Sequence, residues 1–379
     1  KKSYEDGMKY YGDLKKEGMR FDDVLADALE FGSLRKEGPE LPPELTEKVK
    51  EAIARLKAAG ENLPTVFETE TAIAFLYFRK MNCDFVVLET GLGGELDATN
   101  IVKNTVCAVF ATISRDHLGV IGNTLEEIAQ TKAGIIKNGC AVVSAQQKET
   151  VSEILKKRAE ASDCSYREAD LSRFLVEKED YHGIRFSYKE YKNLRGSLAG
   201  ECQIANLATA LEVIRTLNAL GISVPETAVR KGLEETRWPG RFTFLMEHPV
   251  FLVDGAHNED GVEKFVETAV HFQKDYPLTL LFSAVDDKDY TDMIRTILGK
   301  ISFHHVIVTQ VGGYRKVPAE KLAEIFREKG CPTAEACEDV EEAFKKALAA
   351  KGEDGMLFCV GSLYLVGEIK TLILQGVGK

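Results

Sequence analysis

The stretch CDFVVLETGLGGELDATNIV, residues 83–102, decides how this chain is read. Residues 85–88 are apolar and mostly β-branched or aromatic, which predicts a buried strand of a parallel sheet. The run stops at Glu89, and Gly91, Gly93 and Gly94 follow. A strand that ends on a carboxylate beside a glycine-rich turn sets that carboxylate at the carboxyl edge of a sheet, where ligands of open α/β sheets bind. The next strand-like run, VCAVFATIS (106–114), also ends in polar residues: Arg115, Asp116 and His117. Glu89 and His117 are therefore expected at neighbouring strand ends, facing one crevice. Lys132 follows on a helix predicted to open at Asn123 or Thr124, with Glu126 and Glu127 in its first turn. A carboxylate, an imidazole and a lysine at one crevice suit metal and anion chemistry.

Working outward, the 379 residues exceed what one core usually holds, so two domains are expected. A net charge of −11 argues against a nucleic-acid surface, which needs a basic footprint. The eight cysteines are scattered without a CxxC pair, so neither a zinc site nor a disulfide framework is indicated. A reducing, cytoplasmic setting is the expectation. No apolar run is long enough to span a membrane. The chain opens on Lys1 rather than Met, as a trimmed or incomplete product would.

Residues 1–62 read as helical: Tyr4, Met8, Tyr11 and Leu14 share one face, and Leu45, Val49, Ala52, Ile53 and Leu56 another. TVFETETAIAFLYFRK (65–80) is an amphipathic packing helix. CAVVSA (140–145) reads as a strand and 150–160 as a helix. Residues 165–200 alternate polar and apolar, as short antiparallel strands do, and 200–217 is helical. RWPGRF (237–242) contains a strong breaker pair and marks a hinge. Beyond it, strand-like VFLVDGAHN, LTLLFSAV, HHVIVTQ and GMLFCVGS alternate with helical segments, the pattern of a doubly wound α/β domain. The division expected is 1–238 and 239–379.

ETGLGGELDATN, DHLG and KAGIIK together resemble the central motifs of folylpolyglutamate and dihydrofolate synthases, ATP-dependent amide ligases of the Mur type. The resemblance runs over most of residues 65–379. It implies an α/β fold: a Mur-ligase-like central domain, mostly parallel sheet with helices and incomplete at its N-terminus, followed by a doubly wound C-terminal domain. It implies that Glu89 and His117 hold Mg²⁺, and that Lys132 acts in catalysis as a carbamate near a second metal. It implies an ATP site with Asn206 near the adenine, Arg241 on the phosphates, and Asp254 and His257 near the ribose and the acyl phosphate. His257 is also a catalytic candidate on this reading, and Ser362 with Tyr364 supports the substrate side. Asp286, Lys288 and Asp289 match a family-like turn that a solvated loop would also explain. The substrates implied are a folate and L-glutamate, with no nucleic acid and no membrane as partner, in a monomer.

Three departures from the family pattern touch nucleotide handling. No GxxxxGK[ST] string occurs in the 379 residues, and such a loop supplies the backbone amides and the lysine that cradle phosphates. Cys202 stands where the family commonly has His, and Glu95 where it has Arg. An inactive relative that binds nucleotide, folate or a partner protein is the alternative reading. A dinucleotide-dependent enzyme fits poorly, since GLGGELDATN lacks GxGxxG.

Overall fold

A computed structural model describes residues 42–114, 119–180, 183–238, 242–246, 250–286, 289–312 and 316–377. The helices expected before residue 42 lie outside the described residues. Two compact units result: one ends at Val142 and adds Gln147–Tyr166, and the other takes Val143–Gln146 and the chain from Arg167 onward.

The first unit begins with α1 (Pro43–Ala58) and α2 (Val66–Lys80). Proline at the first position suits α1, because the missing N–H has no helical partner there. Thr65 and Glu68 form a reciprocal capping box that opens α2. Val49 and Ile53 of α1 bury against Ile73 of α2. The strand expected over 85–88 does not form. Those residues form no regular element, with Phe85 62% and Val87 98% exposed. A buried parallel strand needs neighbours to take its backbone groups and cover its faces. The sheet of this unit holds β1 (Cys107–Phe110), β2 (Ala141–Ser144) and β3 (Ser165–Glu168) in the order β1-β2-β3, and no described strand lies beside 85–88.

Helices α3 (Leu125–Ala133) and α4 (Glu149–Glu160) cover this sheet. Ile128, Ala129, Val142, Val151 and Leu155 are fully buried in their shared core. Thr124 caps α3 by accepting from the Glu127 N–H, and Glu126 and Glu127 sit at the positive end of the helix dipole. β3, read from sequence as part of an antiparallel region, joins β2 instead: the Ala169 N–H donates to the Ser144 carbonyl.

The second unit opens with the antiparallel sheet β4 (Phe174–Asp180), β5 (Gly183–Tyr188) and β6 (Tyr191–Gly196), packed under α5 (Glu201–Ala219) and α6 (Glu226–Glu235). Glu212 of α5 is buried here, its side chain 2% exposed. It accepts from the Tyr188 hydroxyl at 2.8 Å and from Arg215 at 2.9 Å, and pairs with Lys189. Burial alone would raise its carboxyl. The bonds from Lys189 and Tyr188 and the charge of Arg215 outweigh that and hold it below the usual carboxylate range. A depressed carboxyl contributes stability that is present above its unfolded value, 4.5, and is lost as pH falls through the folded value. Glu212→Gln is therefore expected to lower unfolding free energy by about 3 kcal/mol at neutral pH, with the gap to wild type narrowing below that window. Urea denaturation across pH checks this, and a gap that is constant with pH would contradict it.

A six-stranded sheet follows, ordered β11-β10-β9-β12-β8-β7. Its members are β7 (Thr243–Met246), β8 (Phe251–Val253), β9 (Leu278–Phe282), β10 (His305–Val308), β11 (Glu335–Ala336) and β12 (Met356–Val360). All pairings are parallel except that of β7 with β8. Alternate residues of each strand face opposite cores. Leu252, Leu280, Phe282 and Phe358 meet α7 (Glu259–Ala269), α8 (Tyr290–Leu298) and α9 (Ala319–Glu328). Phe251, Val253, Leu281 and Leu357 meet α10 (Val340–Lys351) and α11 (Leu363–Leu374). This is the doubly wound arrangement the alternating pattern predicts.

Candidate functional site

In the first unit the glycine-rich loop lies directly on the last turn of α3. A Cβ on Gly94 would stand 2.8 Å from the carbonyl oxygens of both Thr131 and Lys132, and one on Gly134 would meet the Glu95 Cβ at 2.4 Å. Only glycine allows so close a backbone approach. The Glu95 N–H donates to the Thr131 carbonyl at 3.0 Å. The Asn100 amide donates to the carbonyls of Glu95 (3.0 Å) and Gly134 (3.1 Å), tying loop to helix. Lys137 is half-buried and donates to the Asn100 carbonyl at 3.1 Å, which adds to the brace. Asp97 accepts from the backbone N–H groups of Leu92 (2.8 Å) and Thr99 (3.0 Å). Asp97, Thr99 and Asn100 thus hold the loop's shape.

This packing forms a cavity of about 120 Å³, lined by Thr90, Gly93, the run-out of β1 at Ala111, Thr112 and Ile113, and by Lys132 and Ile135. Gln147 fixes that run-out from the side. Its amide donates to the Ala111 carbonyl at 2.8 Å and its oxygen accepts the Ile113 N–H at 2.9 Å. Sequence reasoning missed Gln147, since nothing local marks it. Lys132 is half-buried and makes no hydrogen bond or ion pair among the described residues. Glu89, next to Thr90, is exposed and likewise unpaired among them. His117 lies outside the described residues, and among those described no group of three acidic, Cys or His side chains is arranged to hold a metal ion. Gly94→Ala is expected to cost about 1–3 kcal/mol, because backbone must give way. Thermal denaturation reads this loss, and a variant as stable as wild type would refute the close approach.

In the second unit the carboxyl edge of the six-stranded sheet gathers Asp254, His257 and Ser362. Asp254 leaves β8 with a buried carboxylate that accepts from the N–H of Phe242 (2.7 Å) and of Ala256 (2.8 Å). Phe242 is held at φ +40°, a rare conformation for a bulky residue. The His257 Nδ1 stands 2.7 Å from the Gly255 carbonyl and donates to it, which orients the ring. The Gly361 N–H donates to the Ala256 carbonyl at 2.9 Å, joining the β8 and β12 exits. Ser362 is buried and caps α11 by accepting from the Tyr364 N–H. Asn206 is exposed on α5 and donates to the Gln203 side chain at 3.1 Å. Asp289 caps α8. Arg241 and Lys288 lie outside the described residues.

Comparison with known proteins agrees with both halves. Residues 45–214 match the Mur ligase middle domain, and residues 240–363 match the Mur ligase glutamate ligase domain. The dihydrofolate synthase/folylpolyglutamate synthase of Bacillus subtilis is 34% identical over 337 residues, covering 86% of this chain and 76% of that protein. The folylpolyglutamate synthase of Lacticaseibacillus casei is 29% identical over 344 residues, covering 86% and 77%. The crystal structure of the folylpolyglutamate synthase of Thermotoga maritima superposes with a TM-score of 0.76 at 31% identity, over 89% of this chain and 78% of that one. That of Mycobacterium tuberculosis, complexed with ADP and AMPPCP, superposes with a TM-score of 0.75 at 26% identity, over 88% of this chain and 78% of that one. These matches show that the chain belongs to the dihydrofolate synthase/folylpolyglutamate synthase family of Mur ligases.

Proposed function

We propose that the protein joins L-glutamate to a folate in an ATP-dependent reaction. A carboxylate of the folate takes the terminal phosphoryl group of ATP, and the amine of glutamate then displaces phosphate from the acyl phosphate. The observation that carries this reading is Lys132, half-buried, unpaired among the described residues and open to a cavity at the end of β1. On this reading the Lys132 amine takes up carbon dioxide, and the carbamate formed is an oxygen donor. We assign Glu89, exposed and unpaired among the described residues, and His117 to magnesium, with a Lys132 carbamate as a further oxygen donor. Magnesium, when bound, offsets charge on the phosphoryl oxygens. On the nucleotide side we assign Asn206 to the adenine, Arg241 to the phosphates, and Asp254, His257 and Ser362 to the ribose and substrate end. The gap between the two family matches, 215–239, supports a domain boundary near Trp238.

The test is incorporation of labelled glutamate into a reduced folate or dihydropteroate, with ATP, magnesium and bicarbonate. ATP-dependent product is the expected result. Nucleotide binding without product would favour the inactive relative, a reading that rests on the absence of GxxxxGK[ST] from the 379 residues.

A further inference from the structure

Two cysteines of the first unit face each other where adjacent strands begin. Cys140 immediately precedes β2 and Cys164 immediately precedes β3, and their sulfurs lie 3.7 Å apart. Backbone pairing holds the two approaches together: the Gly139 N–H donates to the Ser162 carbonyl at 2.9 Å. Neighbouring strands stand about 4.8 Å apart, inside the range of about 4.4–6.8 Å between Cα atoms that a disulfide spans. The sulfurs need to close by less than about 2 Å to reach bonding distance, a movement within reach of side-chain rotation. Cys140 is buried in the core of the unit, whereas Cys164 is partly open to solvent and its thiol donates to the Lys137 carbonyl at 3.0 Å.

We propose that Cys140 and Cys164 form a reversible redox pair, oxidised to an intramolecular disulfide by exchange with a low-molecular-weight disulfide. Cys164, the accessible partner, reacts first. Its thiolate attacks one sulfur of the reagent and expels one thiolate, leaving a mixed disulfide. Cys140 gives up its proton and attacks the Cys164 sulfur, expelling the second thiolate. One protein S–S bond forms and one reagent S–S bond breaks. Two protein thiols are oxidised, the reagent is reduced to two thiols, and the two protons end on them. Burial pushes the Cys140 thiol up, which agrees with its acting second, at short range. Oxidation removes the S–H donor from the Lys137 carbonyl, so the pair is coupled to the residue that braces Asn100 and the glycine loop.

The experiment equilibrates the full chain with glutathione buffers of increasing oxidised fraction, blocks free thiols by alkylation, and identifies linked peptides by mass spectrometry. The expected product is one crosslink joining the Cys140 and Cys164 peptides, lighter by two hydrogen masses and reversed by excess reduced glutathione. Cys83, which is exposed, serves as internal control and is expected to carry glutathione only. Cys140→Ser is expected to trap Cys164 as a stable glutathione adduct. Alkylation of both cysteines as free thiols at every ratio would overturn the proposal, as would linkage of Cys164 to any other cysteine. Both of these readings use the wild-type chain and do not depend on a variant folding.

Discussion

Lys132→Ala is expected to lower the rate of glutamate addition by about 10³-fold, the scale seen when one electrostatic group is removed from a preorganised site. The fold should tolerate the change. Lys132 lies in the last turn of α3, where alanine is the best helix former, and losing a cation at the dipole's negative end costs only about 0.5 kcal/mol. The melting temperature should therefore stay within a few degrees of wild type while activity collapses. Chemical rescue then separates the two ways a lysine can act. Removal of the side chain enlarges a cavity that already measures about 120 Å³, enough for a small anion and its waters. If Lys132 works as a carbamate, added formate or acetate restores part of the rate and an alkylammonium ion does not. If it works as a cation, the order reverses. Wild-type turnover in the alanine variant would remove Lys132 from the chemistry altogether.

The parts of this architecture that could be read from the chain are those whose signal is local. The cap at Thr124, the acidic first turn of α3 and the strand–helix alternation after the hinge each depend on neighbours within a few residues. Residues 85–88 show the limit. Their composition asks for a buried strand, but a strand exists only where another supplies hydrogen bonds, and none of the described strands does. The cavity was half legible. Lys132 and the glycines stand out, while Gln147, which holds the β1 run-out, acts across 34–36 residues and looks like any polar residue after a strand. The hydrogen bonds of Asp97 and Asn100 go to backbone and that of the Thr99 hydroxyl to Asp97, pairings that nothing local in the sequence marks. The Glu212 network is only partly visible to periodicity: Arg215 lies one turn away on the same helix, but Tyr188 and Lys189 come from a hairpin far earlier in the chain.

Asp254→Ala is expected to destabilise the second unit by about 4 kcal/mol, the largest stability effect of any substitution considered. The carboxylate is buried and accepts two backbone N–H groups, so its removal leaves two buried donors unpaired at about 1–3 kcal/mol each. It also releases Phe242. A non-glycine residue in the left-handed region costs about 1–2 kcal/mol, and it persists only when its surroundings hold it. Here the hold is double: the Phe242 N–H is fixed by Asp254, and the ring packs among Phe265, Phe272 and Phe358 at centroid distances of 6.1, 5.8 and 6.2 Å. Asp254→Asn should recover only part of the loss. Each carboxylate oxygen faces a donor, so the amide NH₂ must oppose one of them whichever way it is turned. The order wild type, Asn, Ala in urea midpoint is the expected result, and a double-mutant cycle with Phe242→Ala should show coupling between the two sites. Equal midpoints for Asn and wild type would mean that one of the two bonds is not made. On the proposed assignment of Arg241 to the phosphates, the same variants are expected to weaken ATP binding as well, because Arg241 directly precedes Phe242 in the chain.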